Sequence, residues 1–370
     1  MAKVIDTAYA PGEDDLVFPR DSDWYLNTWK PSGLLPVQGP WPLISQLVDR
    51  LMPVAEQRDH FLDVLAFVSR FPGKKVNHAL VLTGVPGCGK TTLAEIASRL
   101  VGIHNSSTVD GHVLGGRWVN MLLDCAVLII EEVAHGDRFD VSDKLKTLIT
   151  QQHQQVESKG RNFYWGRTPN LVFVLSNDRR PLALGEGARR EWMPDFVTDK
   201  PLDEAFFVAL NGALNAELPG FAASLLERDI SRFNPAAPPP MTSAKAEAIQ
   251  DSRPVLDVQL EEMIGSFATP FDRDVVITRD VVHELRCAGM PATENQIRKA
   301  LRRLDCRACI NQAAPSPQWH GSPRVWAVRN AARWVDATKT ELRDHICGSD
   351  RSVRSPAGSD LHQQLLRKGG

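Results

Sequence analysis

The stretch "VLTGVPGCGKTTL", residues 81–93, joins an apolar run to a glycine-rich turn that ends in Lys-Thr-Thr. It fits the pattern G-x-x-x-x-G-K-[ST], whose glycines turn backbone N–H groups inward around phosphate oxygens. The preceding "HALVLTG" predicts a short buried strand, and "KTTLAEIASRLVG" predicts a helix that ends at Gly102. A strand, a glycine loop and a helix N-terminus in this order predict a nucleotide-binding site.

This loop supplies the predicted phosphate and metal ligands. The side chain of Lys90 is expected to reach the β and γ phosphates, and the hydroxyl of Thr91 is expected to coordinate Mg²⁺. ATP and Mg²⁺ are therefore the expected cofactors. The residues predicted to surround the phosphates are Gly84, Val85, Pro86, Gly87, Cys88, Gly89, Lys90, Thr91 and Thr92.

Two glutamates end the next buried strand, "CAVLIIEE", residues 125–132. Glu131 is predicted to hold the Mg²⁺ and Glu132 to polarise the attacking water. An ordinary solvated acidic pair is the alternative at any strand end. The position of the pair about forty residues after the glycine loop favours the catalytic interpretation.

Polar and basic residues follow a third buried strand, "NLVFVLSND", residues 170–178. Asn177 is predicted to position the lytic water or to sense the γ-phosphate, with a turn-forming asparagine as the alternative. Arg189 and Arg190 come next in "GARREW". A guanidinium directed at a neighbouring subunit's γ-phosphate accelerates hydrolysis in such NTPases, whereas a plain surface arginine pair is the alternative.

The segment between the second and third strands, residues 155–168, predicts a hairpin around Lys159 and Gly160. Cations and aromatic residues are interleaved in "SKGRNFYWGR", where Lys159 and Arg161 precede the aromatic triplet. Cations for phosphates and aromatic faces for bases are typical of a single-stranded DNA groove. The alternative is a hairpin whose aromatic residues cover the core.

The bulk composition excludes several classes of protein. The chain has 370 residues, a net charge of −2 and 43% hydrophobic residues, so no general excess of positive charge indicates nucleic acid. Its start lacks the apolar segment of a secretory signal, and no apolar run approaches the ~20 residues that span a bilayer. Six scattered cysteines, one inside the glycine loop, are typical of a reducing compartment. We expect a cytoplasmic protein with no membrane partner.

Strands that alternate with helices predict an α/β core of P-loop NTPase type, with a mostly parallel sheet. Ser142 is predicted to cap the helix after the acidic strand. The predicted segments are an irregular lead-in over 1–41, a helical segment over 42–75, an ATPase domain over 76–234, a proline-rich linker over 235–254, a winged-helix-like domain over 255–335, and a C-terminal helix with a disordered tail over 336–370.

The predicted C-terminal domain consists of three helices and a β-hairpin, the outline of a winged helix. Its third helix, 293–306, opens with a Thr293/Gln296 capping box. The cations on its polar side are Arg298, Lys299, Arg302 and Arg303. A helix-turn-helix would place this side against DNA, and a solvated basic face is the alternative of similar weight.

The order of these motifs carries a family likeness. "GVPGCGKT", "VLIIEE", "ESKGRNFYW", "VFVLSND" and "GARREW" follow one another within about 110 residues. This order resembles the superfamily 3 helicases, compact AAA+ motors, and more narrowly the helicase half of phage and mobile-element primase-helicases. The likeness covers roughly 18–330. Glu131-Glu132 stands where many relatives have Asp-Glu, a change that keeps both carboxylates.

The resemblance implies further roles. Lys159 would grip the DNA backbone from a pore hairpin, Asn177 would be the sensor, and Arg189 or Arg190 would reach the next subunit's site. It also implies a homo-oligomeric ring, a hexamer, that moves 3′→5′ on single-stranded DNA in a bacterial cell or a phage-infected host. About 75 residues precede the glycine loop, too few for a primase domain, so a primase or polymerase would be a separately encoded partner.

The predicted function is an ATP-dependent replicative DNA helicase that acts on single-stranded and forked DNA. The first alternative is an AAA+ ATPase that loads or remodels replication proteins on DNA without unwinding it. A second alternative is a P-loop kinase, which would need neither the hairpin nor the winged helix. A DNA-binding module with an inactive nucleotide fold is disfavoured because Lys90 and both glutamates are present.

Overall fold

A computed structural model of the chain describes residues 4–20, 22–115, 119–132, 138–156, 164–178, 181–182, 184–185, 187–195, 201–319 and 321–348. They belong to two compact units, Met1–Ser252 and Arg253–Gly370. Among the helices of these ranges, none is both long enough and apolar enough to cross a bilayer.

The first unit begins with a small sheet of three short strands, β1 (Val4–Ala8), β2 (Val17–Arg20) and β3 (Asp23–Asn27). Its order is β1-β3-β2, with β1 parallel and β2 antiparallel to β3. The prediction of an irregular lead-in is therefore wrong for this part. The strands are mostly exposed and lack apolar alternation; the buried Asn27 amide joins them by donating to the carbonyls of Ala10 and Glu13.

Two helices lead into the main sheet, α1 (Pro42–Leu51) and α2 (Ala55–Arg70). Their apolar residues recur at helical spacing and are buried, as the sequence predicts. The remaining elements of this unit are β4 (Ala79–Thr83), α3 (Lys90–Val101), β5 (Ser106–Asp110), α4 (His112–Gly115), β6 (Val127–Glu131), α5 (Arg138–Thr150), β7 (His153–Val156), β8 (Tyr164–Arg167), β9 (Leu171–Ser176), β10 (Glu191–Trp192), α6 (Glu204–Glu227) and α7 (Ser243–Asp251).

The main sheet has five strands in the order β10-β4-β9-β6-β5, and every pair is parallel. This confirms the α/β class and the parallel sheet. One face packs on α1, α2, α3 and α6, and the other face packs near α4 and α5. Because β9 lies between β4 and β6, the carboxyl ends of these three strands meet side by side at one edge of the sheet.

Two local predictions differ from the structure. Helix α5 begins at Arg138, so Ser142 lies inside the helix and does not cap it. The predicted linker contains α7, because Thr242 caps the amide of Lys245 and the carboxylate of Asp195 accepts the Ser243 hydroxyl and the Ala244 amide. Lys245 and Ala248 of this helix are buried, so the second half of the predicted linker is part of the first unit.

The second unit contains α8 (Val255–Gly265), β11 (Val275–Ile277), α9 (Thr278–Cys287), α10 (Glu294–Arg303), β12 (Arg307–Gln312), β13 (Arg324–Ala327), α11 (Ala331–Trp334) and α12 (Lys339–Cys347). Its antiparallel sheet has the order β11-β13-β12, which confirms the predicted hairpin. The capping box at Thr293 and Gln296 is present at the start of α10. The helices and the sheet enclose a core of their own.

Candidate nucleotide-binding site

The glycine loop runs from the end of β4 to the start of α3 and requires glycine at two positions. Gly87 has φ +76° and Gly89 has φ +104°, in the region that favours glycine. A Cβ atom at Gly89 would lie 2.9 Å from the Cδ1 of Leu47 and 3.0 Å from the Cδ1 of Leu202. The loop is thus pressed against α1 and the segment before α6, and only glycine fits there.

Lys90 is the first residue of α3, and it is only 7% exposed. Its ammonium donates to the carbonyls of Gly84 at 2.7 Å and Val85 at 3.0 Å, and to the amide oxygen of Asn177 at 3.0 Å. The positive charge is therefore held by acceptors from the start of the glycine loop, just after β4, and from the residue that follows β9. Phosphate oxygens can replace these acceptors, because an ammonium has three donors and no fixed plane.

Thr91 and Glu131 come together beside the ammonium. The hydroxyl of Thr91 lies 3.5 Å from the Oε1 of Glu131, at the end of β6. A hydroxyl and a carboxylate are oxygen ligands of the kind that Mg²⁺ prefers, so these two residues fit the predicted metal site. Glu132 follows with φ +51°, an unusual conformation for a residue with a side chain, and is exposed in the same cleft.

These residues border a cleft of about 420 Å³. Asn177, Glu131 and Glu132 reach it from the ends of β9 and β6, and Lys90 and Thr91 reach it from α3. The cleft is lined by Pro86, Gly87, Cys88, Gly89, Lys90, Thr91, Thr92, Glu95, Glu131, Glu132, Leu175, Ser176, Asn177, Phe207 and Asn211. Gly84 and Val85 do not line it but contact Lys90 through their carbonyls.

Four polar or aromatic residues of the cleft were not predicted from the sequence: Glu95, Ser176, Phe207 and Asn211. Glu95 stands four residues after Thr91 on α3, so the helical repeat could have placed it on the same face. Phe207 and Asn211 lie on α6, more than 100 residues after the loop, and no local motif marks them.

Arg189 and Arg190 do not join this cleft. The carbonyl of Arg190 accepts the amide of Ala79, and Glu191 pairs with Ala79 at the start of β4. The two arginines are therefore at the amino edge of the parallel sheet, whereas the glycine loop is at its carboxyl edge. Arg189 is exposed and Arg190 is half-buried.

The predicted hairpin is formed by the antiparallel pair β7 and β8. Lys159 and Arg161 lie between these strands, outside the described residues. Trp165 pairs with Gln155 and is 64% exposed, so it does not cover the core, whereas Tyr164 is half-buried.

Positive charge is gathered at the base of this hairpin. His153 pairs with Arg167 across the two strands. Burial lowers the pKa of the His153 imidazole, and the nearby charges of Arg20, Arg167 and Lys75 lower it further. The guanidinium of Arg167 also donates to the carbonyl of Gly73 at 2.6 Å. The guanidinium of Arg167 is thus held in place by the backbone of the segment before β4.

The cations of α10 have contacts within the second unit. Arg303 donates to both carboxylate oxygens of Asp257, one of them at 2.6 Å, and that carboxylate is 5% exposed. Arg298 pairs with Glu294 one turn earlier. The guanidinium of Arg302 lies 5.7 Å from the ring centre of Trp326. Lys299 is exposed. Two of the four cations thus have local carboxylate partners.

Comparisons with known proteins are consistent with this architecture. Residues 82–190 match a family described as a family of unknown function, DUF5906. A comparison with curated proteins found no match. The apo structure of the NrS-1 C-terminal region (305–718) is similar, with a TM-score of 0.62 and 18% identity over 88% of this chain and 84% of that one. Its A form gives a TM-score of 0.61 and 17% identity, with coverage of 88% and 84%. These likenesses concern the fold.

Proposed function

We propose that this chain is an ATP- and Mg²⁺-dependent DNA helicase of the superfamily 3, AAA+ type. One observation carries the proposal: β9 lies between β4 and β6, so Lys90, Asn177 and the Thr91–Glu131 pair meet in one cleft. Glu132 lines the same cleft, so a cation, an uncharged amide and two carboxylates surround one cavity, and these are the parts that NTP hydrolysis needs.

In the proposed reaction, Lys90 exchanges its carbonyl partners for phosphate oxygens and stabilises the charge that develops there. Thr91 and Glu131 would hold Mg²⁺, which neutralises phosphate charge when bound. Glu132 accepts a proton from the attacking water, and Asn177 orients that water from the end of β9.

A ring with its sites between subunits is also proposed. Arg189 and Arg190 stand at the amino edge of the sheet, away from their own cleft, which favours a role in the cleft of a neighbouring copy. An arginine supplied to a neighbour's site accelerates hydrolysis by roughly 10³–10⁵-fold in NTPases. A hexamer is the expected assembly.

Single-stranded DNA is the proposed substrate of the motor, and the hairpin of β7 and β8 is its proposed binding surface. The hairpin lies in the chain between the acidic strand and the asparagine strand, as in the family that the motif order resembles. The exposed indole of Trp165 beside Arg167 offers a stacking face and a cation, the pair of features that single strands need. Lys159 and Arg161, which follow β7 in the chain, would grip the backbone while the hairpin moves 3′→5′.

The second unit supports a winged-helix assignment, because its order is α8, β11, α9, α10, β12, β13 with an antiparallel three-stranded sheet. Helix α10 would then face DNA or a protein partner, such as a separately encoded primase or polymerase. Lys299 and Arg302 are the cations proposed for DNA, since Arg298 and Arg303 have carboxylate partners.

Unwinding of two labelled duplexes, one with a 3′ and one with a 5′ single-stranded tail, tests the proposal in the presence of ATP and Mg²⁺. Displacement of the 3′-tailed duplex alone, absent in Lys90→Ala, is the expected result. DNA-stimulated ATP hydrolysis without displacement would instead favour a loader or remodeller of replication proteins. An ATP hydrolysis rate that does not change when DNA is added would contradict both the helicase and the loader or remodeller.

A further inference from the structure

The floor of the nucleotide cleft continues along one stripe of α3. Most residues of this helix are buried, and the stripe Thr91, Glu95 and Arg99, at intervals of four, is exposed or half-exposed. Residues four apart lie above one another on a helix, about one turn or 5–6 Å apart. The stripe therefore leads away from the glycine loop in a single direction.

Helix α6 presents a matching stripe. Phe207, Asn211 and Asn215 are also four residues apart and exposed. Phe207 and Asn211 line the same cleft as Thr91 and Glu95. One turn further, the guanidinium of Arg99 donates to the amide oxygen of Asn215 at 3.2 Å. The two stripes face each other, and the Arg99–Asn215 contact closes the space between them.

This space is suited to a flat aromatic ligand. Phe207 borders the cavity and is 42% exposed, so its side chain is accessible to a ligand there. Aromatic rings gain from offset stacking on other rings. The amide of Asn211, on the next turn of the same face, carries two donors and one acceptor that can pair with the polar edge of a ring.

We propose that Phe207 and Asn211 form the nucleobase subsite of this cleft: Phe207 stacks on the base, and Asn211 hydrogen-bonds its edge. The inference rests on the proposed function, because it takes the phosphates to be bound at Lys90. It adds that α6, which lies outside the recognisable motifs, sets the affinity for the nucleoside part of the ligand and the choice between bases.

Equilibrium binding separates the two parts of the ligand. ATP and inorganic tripolyphosphate, each with Mg²⁺, compete with a fluorescent ATP analogue on the full chain. For Phe207→Ala we expect ATP to bind about tenfold more weakly, within the roughly 5- to 150-fold range for loss of a base stack, while tripolyphosphate binding is unchanged. Phe207→Tyr, which keeps the ring, restores ATP binding.

Val208→Ala is the matched control, because Val208 is an exposed apolar residue on the same helix that does not line the cleft. It should bind both ligands as the wild type does. An unchanged ratio of ATP to tripolyphosphate affinity in Phe207→Ala overturns the inference. A failure of Lys90→Ala to weaken either ligand overturns the proposed function instead, so the two failures are distinguishable.

Asn211→Ala tests the second residue. It leaves the stacking ring in place, so we expect a change of at least about threefold in the ratio of ATP to GTP affinity, with tripolyphosphate unaffected. An unchanged ratio removes Asn211 from the subsite.

Discussion

The nucleotide cleft and the basic face of helix α10 were both predicted from short sequence patterns. The predicted side chains lie together in the cleft, but on α10 they do not form one site. In the cleft, the Lys90 ammonium lies 3.0 Å from the amide oxygen of Asn177, and the Thr91 hydroxyl lies 3.5 Å from the carboxylate of Glu131. In α10, Arg298 and Arg303 pair with separate carboxylates of the second unit, and Lys299 is exposed. The difference follows from what each pattern fixes.

A glycine loop specifies a backbone path, and buried strands fix where the next side chains lie relative to it. A set of cations on a helix specifies only charge, and a nearby carboxylate can neutralise it. A sequence motif that specifies the backbone path therefore predicts the positions of its side chains better than a pattern of charges does.

The strongest test of the cleft is Lys90→Ala. The substitution removes the only ammonium held between the loop and β9 in the described part of the cleft, so ATP hydrolysis should fall by at least about 100-fold. Steady-state phosphate release measures it. Lys74→Ala, at an exposed lysine of the same unit, is the control and should retain wild-type hydrolysis. Substantial ATP hydrolysis by Lys90→Ala would contradict the assignment of this cleft as the nucleotide site.

The two glutamates sharpen the assignment within the cleft. Glu132→Gln should reduce hydrolysis by about 100-fold while ATP still binds, because the amide cannot accept the proton of the water. Glu131→Gln should instead reduce the gain in ATP affinity that Mg²⁺ produces, since it removes the carboxylate charge that faces Thr91. Titrations of bound fluorescent ATP against Mg²⁺ compare the two. The reverse pattern would exchange their roles.

Trp165→Ala tests whether the first unit binds single-stranded DNA by itself, independently of α10 in the second unit. Loss of a base stack costs roughly 1–3 kcal/mol, so single-stranded DNA should bind at least about fivefold more weakly. Anisotropy with labelled oligonucleotides measures the change, and Trp165→Phe should retain most of the affinity. Equal binding by Trp165→Ala and the wild type would exclude this stacking face.

A pair of α10 variants has the smallest expected effects on function. Arg303→Ala leaves the buried carboxylate of Asp257 without its guanidinium partner and should lower the free energy of unfolding by about 2 kcal/mol. Lys299→Ala should change stability by less than about 0.5 kcal/mol but lower the salt dependence of DNA binding by about one ion. Denaturant unfolding and salt titrations distinguish them. Identical behaviour of the two variants would show that α10 acts as one solvated face.

Sequence patterns were sufficient for the elements whose own side chains are apolar throughout. Strands β4, β6 and β9 are continuous apolar runs, and the polar residues at their ends form the cleft. Strand β5 was missed because "SSTVD" is polar; it is the edge strand of the sheet and pairs with β6. Strand β10 has two residues, too few for any period.

The rest depends on contacts between distant segments. The N-terminal sheet is held by the Asn27 amide, and Phe207 reaches the cleft only because α6 packs against α3. Neither relation leaves a local pattern in the chain.

The position of β4 also bears on how the protein is made. This strand carries the glycine loop, yet both of its sheet neighbours, β9 and β10, come later in the chain. Ribosomes add about 5–20 residues per second, so the strand emerges several seconds before β9 can pair with it. During that interval an apolar segment with unpaired backbone groups is open to chaperones and to self-association. Yield in the cell should therefore respond to translation speed between β4 and β9 more than to changes after α6.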